Sequence, residues 1–275
     1  MMVMDYVQAL LNTFEKFLRG RSLDLIAIDI DGTLTISRNS FLLDLEVVDL
    51  LRRMRSLGVI VCLASANAYP VVKGLARYLG FEDAMIAENG CLIEVRGRLR
   101  SVATRSVRDA AEALKKAFGL VDSWQNPYRH YDYALLIPPS CSLNMDEVRD
   151  FIEKNFGDEV RVRFSGYAIH VYPPDCSKGR ALTQLVRELG LRGCIVAIGD
   201  SEIDADMLEV ADLGIAVGDA DDELKKRADV VVPAPASRGT LLALEALYRY
   251  ALISRRTPHH GSEGSGSSRD EPPSS

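Results

Sequence analysis

Hydrophobic positions divide the chain into stretches with different patterns. In the first stretch, short apolar runs at residues 25–30, 59–64 and 84–87 are separated by segments in which apolar residues recur every three or four positions. Continuous apolar runs are typical of strands buried on both faces of a parallel sheet, and the longer spacing is typical of amphipathic helices. The same alternation returns after residue 178. The pattern predicts an α/β fold with a doubly wound, Rossmann-like parallel sheet and helices on both of its faces.

The middle stretch of the chain has another pattern. Its predicted strands, such as residues 160–164 and 168–172, alternate apolar and polar positions and come in pairs joined by short turns. Such alternation is typical of antiparallel strands with one covered face. We therefore predict an α+β domain at residues 91–174, inserted into a core domain at residues 23–90 plus 175–254.

The two ends of the chain are predicted to lie outside these domains. Residues 1–22 carry apolar residues at helical spacing, so that one helix face is apolar. We interpret this segment as an amphipathic helix that packs on the core or on a neighbouring subunit, in preference to a helix at a membrane surface. Residues 255–275 are rich in Gly, Ser and Pro, and this composition predicts a disordered tail.

The composition narrows the class of protein. With 275 residues, 47% hydrophobic residues and a net charge of −6, the chain is typical of a soluble globular protein with room for two domains. An acidic chain lacks the basic surface of nucleic-acid-binding proteins, and no apolar run reaches the roughly 18 residues of a membrane span. Since the N-terminal segment does not resemble a signal peptide, we expect a cytoplasmic protein without nucleic-acid or membrane partners.

The cysteines are scattered and odd in number. They include no C-x-x-C pair of the kind found in zinc and redox motifs, and an odd count does not favour a disulfide framework. We interpret them as small core residues in a reducing compartment. The cysteines are Cys62, Cys91, Cys141, Cys176 and Cys194.

Polar residues follow the predicted strands at the edge where a ligand is expected. In an open α/β sheet, ligands bind in the crevice outside the carboxyl ends of the strands. The polar residues at these ends are Asp29 and Asp31, Ser65 and Asn67, Glu88 and Asn89, and, after the strand near residue 198, Asp200 and Ser201. We expect these side chains to converge on one crevice.

The acidic residues of this group indicate a metal site. Asp29 and Asp31 are one residue apart, and two carboxylates so close repel each other unless a cation neutralises them. Asp200 supplies a third carboxylate, and oxygen ligands without His or Cys favour Mg²⁺. Magnesium usually shares its ligand shell with a phosphate. Ser65 and Lys178, which opens a predicted helix, are suitable contacts for that phosphate.

Each of these residues also has a purely local interpretation. D-G-T after a strand is a common turn, and Asp200 or Ser201 can cap a helix. Ser65 and Asn67 can cap the next predicted helix, and a single lysine is usually solvated. Their occurrence together, in order, each at a strand end or a helix start, favours a common site.

The order of these residues resembles the haloacid-dehalogenase phosphatase superfamily. The motifs that carry the resemblance are D-x-D-G-T after an apolar strand, a strand ending in Ser65, the lone Lys178, and G-D-x-x-x-D at residues 199–204. The resemblance spans residues 25–252. The inserted domain occupies the position of the large α/β cap found in one class of this family.

Further segments narrow the resemblance. SANAYP, AENG, GYAIHV and DCSKGRAL are similar to segments of the archaeal phosphoglycolate phosphatases, and the sucrose-phosphate and mannosyl-phosphoglycerate phosphatases are related. The resemblance implies a Mg²⁺-dependent phosphatase for a small phosphorylated metabolite, with 2-phosphoglycolate as the leading candidate. The alternatives are a sugar-phosphate phosphatase or a phosphomutase and, in a different class, a phosphate-binding module without turnover. Both a monomer and a homodimer stay open.

The resemblance also implies a role for each residue. Asp29 would be the nucleophile that forms an aspartyl-phosphate, and Asp31 would protonate the leaving oxygen and then activate water. The implied magnesium ligands are Asp29, Asp31 through its backbone carbonyl, Asp200, and Asp204 directly or through water. The implied phosphate contacts are Ser65 and Lys178, with Asn67 nearby. The cap would close over the site and select the substrate.

Several positions depart from the family's pattern or stay open. Ile203 replaces the usual Asn, Ala66 replaces a usual Gly, and Asp219 adds a carboxylate after the next strand. In the cap, His170 is predicted to lie on a strand face. His130, in the segment NPYRHYDY, is placed in a polar loop, with a contact to the substrate as the alternative.

Overall fold

The structure, a computed structural model that describes residues 2–139, 141–165 and 168–254, contains two β-sheets flanked by helices. The strands are β1 (Leu23–Ile28), β2 (Ile60–Ala64), β3 (Ala84–Ala87), β4 (Leu92–Val95), β5 (Arg98–Ser101), β6 (Val121–Asp122), β7 (Tyr133–Leu136), β8 (Arg161–Phe164), β9 (Ala168–Tyr172), β10 (Cys194–Gly199), β11 (Leu213–Ala216) and β12 (Val230–Val231). The α-helices are α1 (Met2–Leu18), α2 (Leu45–Ser56), α3 (Tyr69–Leu79), α4 (Arg108–Phe118), α5 (Met145–Phe156), α6 (Lys178–Leu189), α7 (Ala205–Val210), α8 (Asp222–Arg227) and α9 (Ala236–Ser254).

The larger sheet forms the core, in the order β12-β11-β10-β1-β2-β3-β4-β5. Neighbouring strands from β12 to β3 are parallel. Leu25, Ile26 and Ile28 of the central strand β1 are inaccessible to solvent, because helices cover the sheet. The predicted α/β class with a doubly wound parallel sheet is confirmed. The carboxyl ends of β1, β2 and β10 consequently meet at one edge.

The hairpin β4–β5 belongs to the core sheet. β4 pairs antiparallel with β3, for example through Ile93 opposite Ile86, and β5 pairs with β4. The sequence pattern instead predicts this hairpin in the inserted domain, with a boundary at residue 91. β4 is buried along its whole length because it continues the core sheet beyond β3. The strand pairing therefore moves the start of the inserted domain to a position after β5.

Helices cover the core sheet on both faces. α9 packs against α1 and α2, and α6 packs against α7, β3 and β4. The apolar face predicted for the N-terminal segment is buried in the first group, where Val7, Leu10 and Phe14 join the hydrophobic core. The amphipathic helix therefore packs on the core of its own chain.

The smaller sheet has the order β6-β7-β9-β8 and is antiparallel throughout. Helices α4 and α5 cover one face and share an apolar core with it, to which Leu114, Leu135, Val148 and Ile169 contribute. The other face, with Ala134 of β7, lines a cavity toward the core sheet. We refer to this α+β unit, between β5 and α6, as the cap.

Cys91 and Cys176 form a disulfide at the base of the cap. Their Cα atoms are 4.5 Å apart, although 85 positions separate them in the sequence. Cys91 precedes β4 and Cys176 precedes α6, so the insertion of the cap brings the two together. The interpretation of the cysteines as unpaired core residues is wrong for this pair, whereas Cys62 and Cys194 are free and buried.

Two further expectations concern membrane-spanning helices and the C-terminal tail. Among the described residues, every helix is too short or too polar to cross a membrane. The predicted disordered tail, residues 255–275, lies outside the described residues.

Candidate active site

A cavity of about 430 Å³ lies between the carboxyl edge of the core sheet and the cap sheet. Residues that follow β1, β2 and β10 form its floor, and cap residues form its roof. The floor includes Asp29, Asp31, Arg38, Ser65, Asn67, Lys178, Asp200 and Asp204, and the roof includes Trp124, Gln125, Arg129 and His170. The structure thus brings together in one cavity all the site residues predicted from the sequence.

Lys178 lies between two carboxylates on the floor of the cavity. Its Nζ donates to Asp29 Oδ1 at 2.7 Å and to Asp204 Oδ1 at 2.5 Å. All three side chains are almost inaccessible to solvent, and a buried charge is costly unless it is paired. One carboxylate oxygen from each of Asp29, Asp200 and Asp204 lies within 4.8 Å of the others. The floor therefore holds three carboxylates around one ammonium group.

Burial and crowding raise the pKa values of these carboxyls. Burial raises the pKa of Asp29 to about 7, against the opposing effect of Lys178 and with a contribution from Asp204. Burial also raises the pKa of Asp200 to about 9, together with repulsion from Asp29 and Asp204. Burial alone would lower the pKa of Lys178, but Asp204 and Asp29 outweigh it and raise the pKa above its ordinary value. Lys178 therefore stays charged, and the floor attracts a further cation.

Arg38 contacts this cluster from the loop that follows β1. Its Nε lies 2.8 Å from Asp200 Oδ2, and its Nη2 lies 2.8 Å from Asp221 Oδ1. The guanidinium thereby neutralises part of the charge on Asp200. Sequence reasoning missed Arg38 because a loop arginine belongs to no motif. Its only signal is its position shortly after D-x-D-G-T.

The turn after β1 places Asp29 and Asp200 side by side. The amide of Asp29 donates to the carbonyl oxygen of Ile198 at 3.1 Å and so continues the pairing of β1 with β10. Gly32 has a φ of +82°, and a Cβ at this position would collide with the Asp200 carboxylate. The glycine of D-G-T is thus required both by its backbone conformation and by the close approach of Asp200.

Asp31 contacts a different set of residues from Asp29. Its Oδ2 accepts a hydrogen bond from Asn67 Nδ2 at 2.8 Å, and the same Nδ2 lies 3.0 Å from Ser65 Oγ. Burial raises the pKa of Asp31, and the hydrogen bond from Asn67 opposes this rise. The carboxylate of Asp31 is therefore oriented by the loop after β2.

The oxygens of the floor suit a hard divalent cation. Asp29 and Asp200 each offer a carboxylate oxygen near the same point. Both oxygens of Asp204 are already engaged, one by Lys178 and the other by the amides of Asp200 and Ser201. Carboxylates in this number could hold Mg²⁺, which binds oxygen ligands and keeps several waters. The residues present fit the predicted metal, with Asp204 better placed to reach it through water.

Two groups of contacts dock a loop of the cap onto the core. The Glu88 carboxylate accepts hydrogen bonds from the backbone amides of residues 130–132 at 2.9 to 3.3 Å. Arg129 Nη1 donates to the carbonyl oxygen of Ala66 at 2.9 Å. These contacts join loops that follow β2 and β3 to the loop before β7, so the roof is fixed directly above the floor.

Gln125 makes a third contact between the cap and the floor. Its Oε1 accepts from the backbone amide of Ala68 at 2.7 Å, and its Nε2 donates to Asn67 Oδ1 at 2.6 Å. Gln125 is buried and lines the cavity. Sequence reasoning missed it because its partners lie more than fifty positions away in the chain.

The ionisable residues of the roof contact one another. His170 Nδ1 lies 3.0 Å from both carboxylate oxygens of Asp132, and Arg129 Nη1 lies 3.6 Å from Asp132 Oδ2. Burial alone would raise the pKa of Asp132, but His170 and Arg129 outweigh it and lower the pKa. His170 lies on a strand face, as the pattern indicates, and that face lines the cavity.

Three further positions singled out in the sequence are His130, Asp219 and Ile203. The His130 side chain is exposed and is not among the residues that line the cavity, whereas its neighbour Arg129 lines it. Asp219 adds no carboxylate to the cavity, because its Oδ1 accepts from the amide of Ala236 at the start of α9. Ile203 is buried and gives the cavity wall an apolar patch.

Comparisons with known proteins place the chain among hydrolases. Residues 26–123 and 140–244 match the model of a haloacid dehalogenase-like hydrolase family. The chain is 37% identical over 233 residues to the phosphoglycolate phosphatase of Staphylothermus marinus, a match that covers 81% of this chain and 97% of that protein. It is 38% identical over 217 residues to the phosphoglycolate phosphatase of Pyrobaculum islandicum, with 78% and 91% covered.

Solved structures share the fold. A Thermoplasma acidophilum protein matches with a TM-score of 0.72 at 24% identity, over 83% of this chain and 99% of that one. A structure described as a sugar phosphatase of HAD subclass IIB matches with a TM-score of 0.66 at 15% identity, over 82% and 99%. Both likenesses extend across the core and the cap.

Proposed function

Because the chain belongs to the haloacid dehalogenase-like hydrolases, we propose that it is a Mg²⁺-dependent phosphatase that converts 2-phosphoglycolate to glycolate and phosphate. It is a phosphoric monoester hydrolase, as are the relatives named above. The observation that carries the proposal is the position of Asp29. This buried carboxylate contacts Lys178, adjoins two further carboxylates and borders a cavity large enough for a small ester.

The metal would be held by the carboxylates of Asp29 and Asp200 and by the backbone carbonyl of Asp31, with Asp204 reached through water. When bound, Mg²⁺ supplies positive charge that stabilises the phosphoryl oxygens in the transition state. The raised pKa values of Asp29 and Asp200 support this assignment, because a cluster that resists losing its protons gains most from a divalent cation.

In the first step, a carboxylate oxygen of Asp29 attacks the phosphorus atom, and the bond between phosphorus and the ester oxygen breaks. Asp31 donates its proton to the leaving ester oxygen, which departs as an alcohol. Its raised pKa favours the protonated form that this step requires. The phosphoryl group is then covalently attached to Asp29.

In the second step, Asp31 acts as a base. Its carboxylate accepts a proton from a water molecule, whose oxygen attacks the phosphorus atom. The bond between phosphorus and the Asp29 oxygen breaks, and inorganic phosphate leaves. Asp29 and Asp31 are thereby returned to their initial protonation states.

The residues around these two carboxylates bind and orient the phosphoryl group. Lys178 contacts Asp29 directly, so its ammonium group is also near a phosphoryl oxygen on that residue. Ser65 and Asn67 follow β2 on the other side of Asp31 and can donate to the remaining oxygens. The docked cap excludes water from these groups, which strengthens their electrostatic effect.

A second substrate class is favoured by the cavity itself. About 430 Å³ exceeds the space that a two-carbon phosphate ester requires, and the exposed rings of Phe41 and Trp124 border it. A sugar phosphate fits this space, in line with the sugar phosphatase of the same fold. The names of the relatives at 37% and 38% identity nevertheless favour 2-phosphoglycolate.

We further propose that the chain divides into a core, residues 2–101 plus 175–254, and a cap, residues 102–174. We propose that the protein is a monomer or a homodimer and that it is located in the cytoplasm. Disulfides are uncommon in the cytoplasm outside hyperthermophiles. The oxidised fraction of Cys91 and Cys176 in lysates that are alkylated at once tests the proposed location. A fully reduced pair is expected in an ordinary reducing cytoplasm. An oxidised pair, as in the structure, indicates a hyperthermophile cytoplasm or an oxidising compartment.

The activity is tested with purified protein and p-nitrophenyl phosphate, in Mg²⁺ and in EDTA. Metal-dependent phosphate release is expected, and its absence would contradict the enzyme assignment. A panel of 2-phosphoglycolate, hexose phosphates, sucrose phosphate and mannosyl-phosphoglycerate then ranks substrates by kcat/KM. A sugar phosphate with the highest kcat/KM would replace 2-phosphoglycolate as the substrate, while conversion between isomers without release of phosphate would indicate a phosphomutase.

A further inference from the structure

A chain of hydrogen bonds runs from the cap to Asp31. Gln125 of the cap contacts Asn67, and Asn67 contacts Asp31, with donor–acceptor distances of 2.6 and 2.8 Å. Asp31 would be the acid and base of the proposed reaction. The cap therefore contacts this group through two neutral amides rather than through a charge.

The backbone amide of Ala68 determines the direction of every bond in this chain. A backbone N–H can only donate, so the group of Gln125 that faces it must be Oε1. The other end of the Gln125 amide is then Nε2, which can only donate, and Asn67 must present Oδ1 to it. The remaining Asn67 group, Nδ2, consequently points to Asp31 Oδ2.

Without Gln125, the orientation of the Asn67 amide is less constrained. When Asp31 is protonated, its hydroxyl can donate, so the amide could rotate and accept the Asp31 proton through Oδ1. That proton would then point to Asn67 rather than to the leaving oxygen. Ser65 Oγ cannot prevent this rotation, because a hydroxyl group both donates and accepts. A docked cap, with Gln125 over Ala68, fixes the orientation that donates to Asp31 in both protonation states of Asp31.

We propose that Gln125 is a positioning residue that fixes the Asn67 amide, and through it the Asp31 carboxylate, when the cap is docked on the core. The proposal rests on the proposed function, since it concerns the group that protonates the leaving oxygen. Its consequence is that protonation becomes efficient only in the closed site. Arg129 and Glu88 keep the cap loop docked independently of Gln125.

The test compares two esters that differ in their need for an acid. An aryl ester such as p-nitrophenyl phosphate has a good leaving group and needs little protonation, whereas an alkyl phosphate needs it. For the variant Gln125→Met, which has nearly the same shape but makes neither hydrogen bond, we expect kcat/KM for the best alkyl phosphate of the panel to fall roughly 10-fold or more. For p-nitrophenyl phosphate we expect a change of less than roughly 3-fold.

A double-mutant cycle tests whether Gln125 acts through Asn67. Asn67→Ala should show the same preference for the aryl ester, and adding Gln125→Met to it should cost no further activity on the alkyl ester. Because Asn67 is also a proposed phosphate contact, the ratio of kcat/KM for the two esters is compared rather than the absolute activity. Circular dichroism and the melting temperature of each variant check that it is folded.

The outcomes separate this proposal from the proposed function. Equal losses on both esters, or losses that multiply in the double variant, would overturn the role of Gln125 while leaving the phosphatase assignment intact. If the unmodified protein releases phosphate from neither ester in Mg²⁺, both proposals are wrong. The expected pattern is a selective loss on the alkyl ester with Gln125→Met and no further loss when Gln125→Met is added to Asn67→Ala. This pattern supports both proposals.

Discussion

The floor and the roof of the cavity differ in how their charges are balanced. Within the described part of the chain, the carboxylates of Asp29, Asp200 and Asp204 on the floor are paired only with Lys178 and, from the side, with Arg38. In the roof, buried Asp132 is paired with Arg129 and His170, and the contacts to the floor are made mainly by neutral groups. A floor with excess negative charge attracts a divalent cation, which in turn can bind a phosphate. A roof whose charges are paired is suited to orienting the substrate and excluding water. The difference agrees with the proposed roles, in which the core performs the chemistry and the cap selects the substrate.

The largest effect is expected from removing the nucleophile of the floor. Asp29→Asn should lower kcat by roughly 10⁴-fold or more, because an amide oxygen is a far weaker nucleophile than a carboxylate. The melting temperature should change little, since Lys178 keeps Asp204 as a partner. Steady-state kinetics with p-nitrophenyl phosphate measure the loss, and Asp109→Asn on the exposed side of α4 is the matched control. Substantial turnover by the Asp29→Asn variant would contradict the nucleophile assignment.

The charge imbalance of the floor also predicts how stability depends on pH without divalent cations. The pKa of Asp29 is about 7 in the folded chain, and an unfolded Asp has a pKa of about 4. Between these values the unfolded chain has lost a proton that the folded chain retains, so the stability falls as the pH rises. Asp200, with a pKa of about 9, extends this window upward.

Thermal unfolding in EDTA from pH 5 to 8 measures this effect. The free energy of unfolding should fall by an amount on the order of a few kcal/mol, and Mg²⁺ should restore more of it at pH 8 than at pH 5. Asp200→Asn should flatten the dependence. A melting temperature in EDTA that stays constant or rises over this range would show that the floor carries no uncompensated negative charge.

A smaller effect is expected at the edge of the floor, where Arg38 contacts Asp200. Arg38→Ala removes a cation that competes with the metal for this carboxylate. Mg²⁺ should then bind roughly 3- to 10-fold more tightly, and the protein in EDTA should melt at a lower temperature. Isothermal titration calorimetry measures the affinity, with Arg55→Ala at the surface pair with Asp83 as the control. Unchanged or weaker binding would mean that Arg38 supports the metal site.

The smallest effect is expected in the roof. Trp124 is 69% exposed and borders the cavity, so Trp124→Ala should raise KM for the preferred substrate roughly 2- to 5-fold. Both kcat and the melting temperature should stay unchanged. Tyr78→Ala, which truncates an exposed ring on α3, is the control. A fall in kcat comparable to the rise in KM would show that the roof takes part in the chemistry. The proposed division of roles between the floor and the roof would then be wrong.

Apart from Arg38, the floor could be predicted from the sequence because its residues are placed by local structure. Asp29 and Asp31 follow a continuous apolar strand, and Ser65 and Asp200 follow two others in the same parallel sheet. Once the strands are recognised, the rule that strands of such a sheet end at one edge brings these side chains together. Lys178, at the first position of α6, is placed by the same βα alternation.

The roof could not be predicted, because its residues are placed by tertiary packing. Gln125 acquires its role only when a loop of the cap lies on Ala68, and nothing in the local sequence sets that contact. The strands of the hairpin β4–β5 resemble those of an antiparallel cap sheet, but their pairing with β3 places the hairpin in the core. Arg129 rather than His130 lines the cavity, a choice that the segment NPYRHYDY leaves open.

The disulfide between Cys91 and Cys176 closes a covalent loop of the chain that contains the hairpin β4–β5 and the whole cap. In the chain-entropy account, a cross-link over 85 residues restricts the unfolded ensemble by about 4 to 5 kcal/mol. A protease that cuts once inside this loop leaves both fragments covalently attached. The nicked protein would migrate as one band without reductant and as two with it. Damage to the part of the molecule that is proposed to select the substrate would thus not release it from the part that is proposed to perform the reaction.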